Sequence, residues 1–282
     1  MIQRNKPLVP PYAIELQYRR ELFALINSMV KDFRTIVTLY KDKKDQIAMD
    51  DATWLSTDVQ ARLDRLGKKW EERFKKYAEN ATPDRVQKLL KQTDLQLKES
   101  LKAYFAAEQL TLIGTVIPVK LRQVMKVNIA ENVELITSLP NRFRRRVQTV
   151  MTNVINGNAA WKELQKEISH GAGITMREAK TIARDQTNKV FNALAVRRFE
   201  QCGITKVRWI HSHAPKEPRA YHIRMWDGKS GLDNGHPNGL NHFIFDLNNP
   251  PIIDEKTGER GLPGRLINCG CGMEPITEFS SI

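Results

Sequence analysis

No run of about eighteen apolar residues occurs anywhere in this chain, so it offers no candidate for a membrane-crossing helix. The N-terminus, Met1-Ile2-Gln3-Arg4-Asn5-Lys6-Pro7, lacks the apolar stretch of a signal peptide. The chain is therefore expected to stay where it is made, or to be carried inside a particle. Cysteine is scarce: Cys202, Cys269 and Cys271 are the only three, too few for a disulfide scaffold. A reducing compartment during synthesis is the natural reading. Internal repeats and low-complexity tracts are absent. So are Gly-x-Ser-x-Gly and the glycine-rich phosphate loop, which removes two common signatures of hydrolases and nucleotide enzymes.

What is present is enough for a folded core. Apolar residues make up 41% of 282 residues and charged residues 27%, the balance of a globular chain with room for two domains. The net charge of +13 is unevenly placed. Residues 1–196 hold 34 of the 45 basic and 22 of the 32 acidic side chains, leaving 11 and 10 to the remainder. The basic excess favours anionic partners such as DNA or an acidic protein ring. An ordinarily solvated basic surface is the competing reading.

Residues 1–11, with Pro7, Pro10 and Pro11, read as an extended arm outside any core. From Tyr12 the pattern turns helical. Tyr18, Leu22, Leu25, Met29, Phe33, Ile36 and Tyr40 form one stripe, and Val59, Leu63, Leu66, Trp70, Phe74 and Tyr77 a second. Thr82-Pro83-Asp84 predicts a helix start, followed by Val86, Leu89, Leu90, Leu97, Leu101, Tyr104 and Phe105. Another helix is expected over about 119–135. Pro140 predicts the opening of an arginine-rich helix ending at Gly157, and a short helix from Trp161 to Ile168 stops at Gly171. Thr175 and Glu178 then read as a capping box opening a long helix that ends at Gly203. Trp54, Trp70 and Trp161 are taken as core.

After Gly203 glycine and proline become dense. One strand is expected at Lys206–His211 and another around Leu266–Met273. The fold class is α+β: an arm over 1–11, a helical region over 12–174, and a small loop-rich α+β module, including the long helix, over 175–282.

Three groups of residues could carry chemistry. Cys269 and Cys271, one residue apart, could share a metal with histidines drawn from His211, His213, His222, His236 and His242. No metal is expected, because only the cysteines have close ligand spacing. His211, His213, Arg219, His222 and Asp227 could serve a nuclease, with histidine as acid or base and arginine on phosphate. The favoured reading makes them structural, with Arg219 and His222 bonded to backbone carbonyls and Asp227. Arg142, Arg144, Arg145 and Arg146 form the densest positive patch. They are read as contacts for an anionic partner, since adjacent arginines repel one another unless something offsets them.

The order of these elements is itself a signal. Ile182-Ala183-Arg184-Asp185-Gln186-Thr187 is followed by the strand with Trp209, then Arg219 with His222, then Asp227-Gly228, then Asn268-Cys269 with Cys271. Upstream stand Tyr18-Arg19-Arg20-Glu21-Leu22 and the segment from Leu139 through Arg146 to Gly157. This arrangement resembles the phage Mu F-like head morphogenesis family, the minor head proteins of tailed bacteriophages. It departs from the commoner form at His211-Ser212-His213-Ala214-Pro215, where many relatives carry an Asp-containing turn before the arginine. It departs again at Gly270, where relatives usually have arginine between the cysteines.

The resemblance implies a non-enzymatic virion protein without a cofactor. It would be associated with the portal and major capsid proteins near one vertex, in contact with packaged double-stranded DNA, and present in the host cytoplasm during assembly. The alternatives are a nuclease- or toxin-like enzyme centred on His222 and Arg219, and a plain DNA-binding protein.

Overall fold

The computed structural model describes residues 6–44, 52–102, 113, 117–155, 161–211 and 219–276. Among them are four long helices: α1 (Tyr12–Lys44), α2 (Ala52–Leu101), α3 (Val119–Ile155) and α4 (Trp161–Gln201). They are followed by β1 (Lys206–Ile210), a single-turn α5 (Ala220–Ile223), β2 (Ile244–Asp246) and β3 (Gly272–Pro275). The protein is α+β, with a mostly helical N-terminal region and a small C-terminal module around an antiparallel sheet of order β2-β1-β3. No helix among the described residues is long and apolar enough to cross a membrane.

Three helix starts expected from the sequence lie inside continuous helices. Pro83 falls within α2, Pro140 within α3 and Thr175 within α4. In each case the apolar period runs through the apparent breaker. Phe74, Ala78, Val86 and Leu89 bracket Pro83, and Ile136, Leu139, Phe143 and Val147 bracket Pro140. Ile168, Ala172, Ala179 and Ile182 bracket Thr175. Burial along one stripe outweighs the hydrogen bond a proline forfeits. Thr175 caps nothing; its Oγ1 donates to the Gly171 carbonyl one turn back, at 2.8 Å.

The chain divides into two compact units whose boundaries fall inside these helices. One comprises Leu16–Pro83 and Ala130–Ala183. Its core draws on all four of its helical segments, through Tyr18, Leu22, Met29 and Phe33, then Leu63, Trp70 and Phe74, then Phe143 and Val147, then Leu164 and Ile168. Leu25, Ile36 and Tyr77, also on the expected stripes, are only partly buried. The side chains of Tyr40, Trp54 and Trp161, and all of Tyr104 and Phe105, lie outside the described residues.

The other unit comprises Met1–Glu15, Asp84–Ile129 and Arg184–Ile282. Its core joins Val86, Leu89, Leu97 and Leu101 to Phe191, Leu194, Phe199, Val207 and Trp209. Arg208 and Glu274 face one another across β1 and β3 and pair at 2.7 Å, a largely buried charge pair that supports the register.

The arm is not outside the core as expected. Leu8 is fully buried, and its backbone exchanges two hydrogen bonds with Met273, at 2.7 and 3.0 Å. Gln96 bonds both the N–H and the carbonyl of Val9, and Ser100 donates to the Lys6 carbonyl. An unpaired edge of β3 is thereby covered. Gly272 permits this approach, since a Cβ there would stand 2.1 Å from the Leu8 carbonyl oxygen. The second expected strand also shifts: residues 266–271 form turns, and the strand begins at Gly272.

Candidate functional site

All residues of the C-terminal cluster belong to the second unit. The last turns of α4 build its floor. Asp185, Asn188 and Asn192 stand on one helical face and are buried. Asp185 accepts the Asn268 N–H at 2.6 Å, Asn188 donates to the Cys269 carbonyl at 2.8 Å, and Asn192 donates to the Cys271 carbonyl at 3.2 Å. Three polar side chains thus hold the Asn268–Cys271 backbone, with Asn268 itself at φ 61. Gly264 passes so close above the same helix that a Cβ there would lie 2.7 Å from Asn192 Nδ2. Burial pushes the Asp185 carboxyl up, opposed first by the Asn268 N–H.

Above this floor three groups converge, with a fourth beside them. Cys269 Sγ lies 3.6 Å from His222 Nδ1, and Cys271 Sγ lies 3.8 Å from the same nitrogen. The ligand atoms of His222, Cys269 and Cys271 all lie within 4.8 Å of one another. His211 stands at the margin of this triplet, its Nδ1 3.6 Å from Cys271 Sγ. Relative exposures are 5% for His211, 3% for His222, 4% for Cys269 and 2% for Cys271, so the cluster is closed to solvent. His222 Nε2 is 2.9 Å from the Ile253 carbonyl. A carbonyl only accepts, so Nε2 carries a proton and donates it to Ile253, while Nδ1 faces the sulfurs. The Gly264 N–H points at Cys269 Sγ from 3.4 Å. The Cys269 thiol is held well below the usual range, first by Cys271 and then by His222, while burial acts the other way. The partly exposed Cys202 shows the contrary case, its thiol pushed up by burial.

The remaining motif residues hold this arrangement in place. Trp209 is fully buried on β1, its ring edge-on to His222 at 5.2 Å between centroids. Arg219 donates to the Ile267 carbonyl at 3.1 Å, tying the start of α5 to the cysteine loop. Asp227 contacts neither Arg219 nor His222 through any described hydrogen bond. It closes its own turn by accepting the N–H groups of Lys229 and Ser230, both at 2.9 Å. Those bonds, that to Lys229 first, hold its carboxyl below the ordinary range. Gly228 completes that turn at φ 82. His236 is exposed beside Tyr221, His242 sits in a left-handed turn at φ 70, and His213 lies outside the described residues.

The arginine helix belongs to the other unit. Arg144 donates to Asp64 at 2.8 Å, and Arg146 donates to Glu178 at 2.9 Å. Arg142 lies 3.6 Å from the second Glu178 oxygen and donates to Ser138. Arg145 is exposed. The offset that adjacent arginines require is therefore supplied within the chain for three of the four positions. Glu178, assigned to a capping box from the sequence, is the acid that two of them share.

Sequence reasoning did not single out Asn188, Asn192 or the use of Asp185. Their signal is positional: three short polar side chains at i, i+3 and i+7, one face of the helix.

Comparison with known proteins adds little beyond this geometry. No family model and no solved structure matches the chain. A Haemophilus influenzae protein, named only as uncharacterized, is 24% identical over 277 residues. The match takes in 98% of this chain and 56% of that protein, so the chain spans little more than half the length of its relative.

Proposed function

We propose that this chain is a minor head protein of a tailed bacteriophage, of the Mu F-like head morphogenesis type, acting at the portal vertex in head assembly or DNA handling. The observation that carries the reading is how the resembling residues are used. Asp185, Trp209, Arg219, His222, Asn268, Cys269 and Cys271 serve one another, through the contacts Asp185–Asn268, Trp209–His222, Arg219–Ile267 and His222–Cys269. A motif set that builds a compact module is what an assembly protein requires. The basic excess of the helical region supports an anionic neighbour, either DNA or an acidic surface of the portal.

The enzyme alternative draws less support. A general base must reach a substrate proton, and His222 is buried with Nε2 on a backbone carbonyl and Nδ1 toward two sulfurs. Plain DNA binding keeps Arg145 and the wider basic surface, but Arg142, Arg144 and Arg146 already serve internal acids.

The test is genetic. Deleting the gene from the phage that encodes it should abolish DNA-filled heads seen by electron microscopy while tails still form, with rescue by the wild-type chain in trans. Normal yields of filled, infectious particles from the deletion would overturn the reading.

A further inference from the structure

We infer that His211, His222, Cys269 and Cys271 form a closed tetrahedral site for a zinc-class divalent cation, stapling the C-terminal module. The inference is independent of the virion reading, since it rests on the side chains alone.

The distances carry the argument first. With Zn–S about 2.3 Å and Zn–N about 2.0–2.1 Å, a tetrahedral centre has an S···N edge of about 3.6 Å. The three separations here are 3.6, 3.6 and 3.8 Å. Thiol hydrogen bonds account for them poorly. His222 Nδ1 has one in-plane lone pair, yet both sulfurs approach it. Cys271 Sγ in turn has two imidazole nitrogens beside it, from His211 and His222. A single cation among His222, Cys269 and Cys271 satisfies their contacts at once, and His211, outside that mutual 4.8 Å set but 3.6 Å from Cys271 Sγ, supplies the fourth ligand by turning in toward the ion.

The surroundings fit the same ion. Zinc-bound histidines commonly donate their second ring N–H to a carbonyl, which fixes the tautomer. His222 does this to Ile253 at 2.9 Å. The Gly264 N–H aimed at Cys269 Sγ suits a thiolate. Two thiolates and two neutral imidazoles leave a bound divalent cation with no net charge, which makes burial tolerable. Soft sulfur with imidazole nitrogen selects zinc over magnesium or calcium. Closure from solvent and a full ligand set mark a structural site rather than a catalytic one. The ligands come from three separate stretches: the end of β1, α5 and the turn before β3. The named strands of this module are only 5, 3 and 4 residues long, so one ion would tie together segments that little regular structure connects.

The test uses the full chain, produced in zinc-supplemented cells and purified without chelator. Elemental analysis should find about one zinc per chain. Exchange with cobalt should give the intense visible absorption of tetrahedral Co(II) and a thiolate-to-metal charge-transfer band. The His211→Ala variant, which keeps both cysteines, should still fold but bind zinc at least about tenfold more weakly by chelator competition, a direct ligand counting for no less than the outer-shell partners whose loss costs that much. Folded wild-type protein that carries no zinc and takes up no cobalt would refute the site. His211→Ala binding zinc as tightly as the parent would refute the four-ligand set.

Discussion

The ion pair between Asp94 on α2 and Arg198 on α4 offers the sharpest energetic prediction. Arg198 Nε and Nη2 donate to the two Asp94 oxygens at 2.7 and 3.1 Å, and Nη1 donates to Gln201 at 2.7 Å. The side chains are 1% and 13% exposed. A guanidinium does not release its proton, so Asp94→Ala leaves a buried charge without its carboxylate, a loss of about 3–5 kcal/mol. Burial nevertheless raises the Asp94 carboxyl more than Arg198 lowers it. Replacing a buried ion pair by an apolar pair of similar volume is often neutral or stabilising, whereas removing one partner is not.

The double variant Asp94→Leu with Arg198→Met should be as stable as the parent or up to about 1–4 kcal/mol more stable. The sign with pH follows. A carboxyl raised in the folded state holds its proton longer there than in the unfolded chain. Its contribution to stability therefore falls as pH rises from the unfolded to the folded value. Asp94→Asn removes that dependence. Urea unfolding followed by circular dichroism measures the losses, and amide exchange along α2 and α4 localises them. An Asp94→Ala variant as stable as the parent, or a double variant as damaged as the single one, would refute the reasoning.

Further expectations concern the arginine helix, the cysteine cluster and the arm. Arg144→Gln and Arg146→Gln should each lower the stability of the helical unit by about 0.2–1 kcal/mol, the range of a partly exposed pair, as read by thermal melts. Arg145→Gln should leave the melt unchanged and weaken DNA or portal association with a flatter salt dependence; unchanged binding at low and high salt counts against a role for Arg145. His222→Ala strands the Ile253 carbonyl and should cost at least about 1–3 kcal/mol; a variant as stable as the parent that lost a nuclease activity would favour the enzyme reading. Gly272→Ala drives a Cβ into the Leu8 carbonyl, so exchange protection at the Leu8 amide should vanish, and retained protection would contradict the described approach.

The legible part of this fold was the part written in periodicity. The stripes through Leu22, Phe33, Trp70 and Phe143 identify core faces, and Lys206–His211 reads as a strand, of which Lys206–Ile210 forms β1. Pro83, Pro140 and Thr175 misled because local breakers are weak against a buried stripe that continues on both sides of them. Leu8 misled for the opposite reason. One apolar residue among prolines carries no period, and only the Gly272 edge discloses its place.

At the site, the cysteines and His222 were legible as candidates, but their convergence was not. His211, His222 and Cys269 are far apart in sequence, and three-dimensional proximity depends on turns such as those at Asn268 and Gly264. The arginine cluster was legible as charge, whereas its partners Asp64 and Glu178 come from other helices.

The central claim is that this protein is a minor component of a phage head. Quantitative mass spectrometry of purified, DNA-filled particles, combined with chemical cross-linking, tests it most directly. The account predicts peptides of this chain at a copy number far below that of the major capsid protein, cross-linked to the portal. Particles that are complete and infectious yet contain none of it would contradict the account.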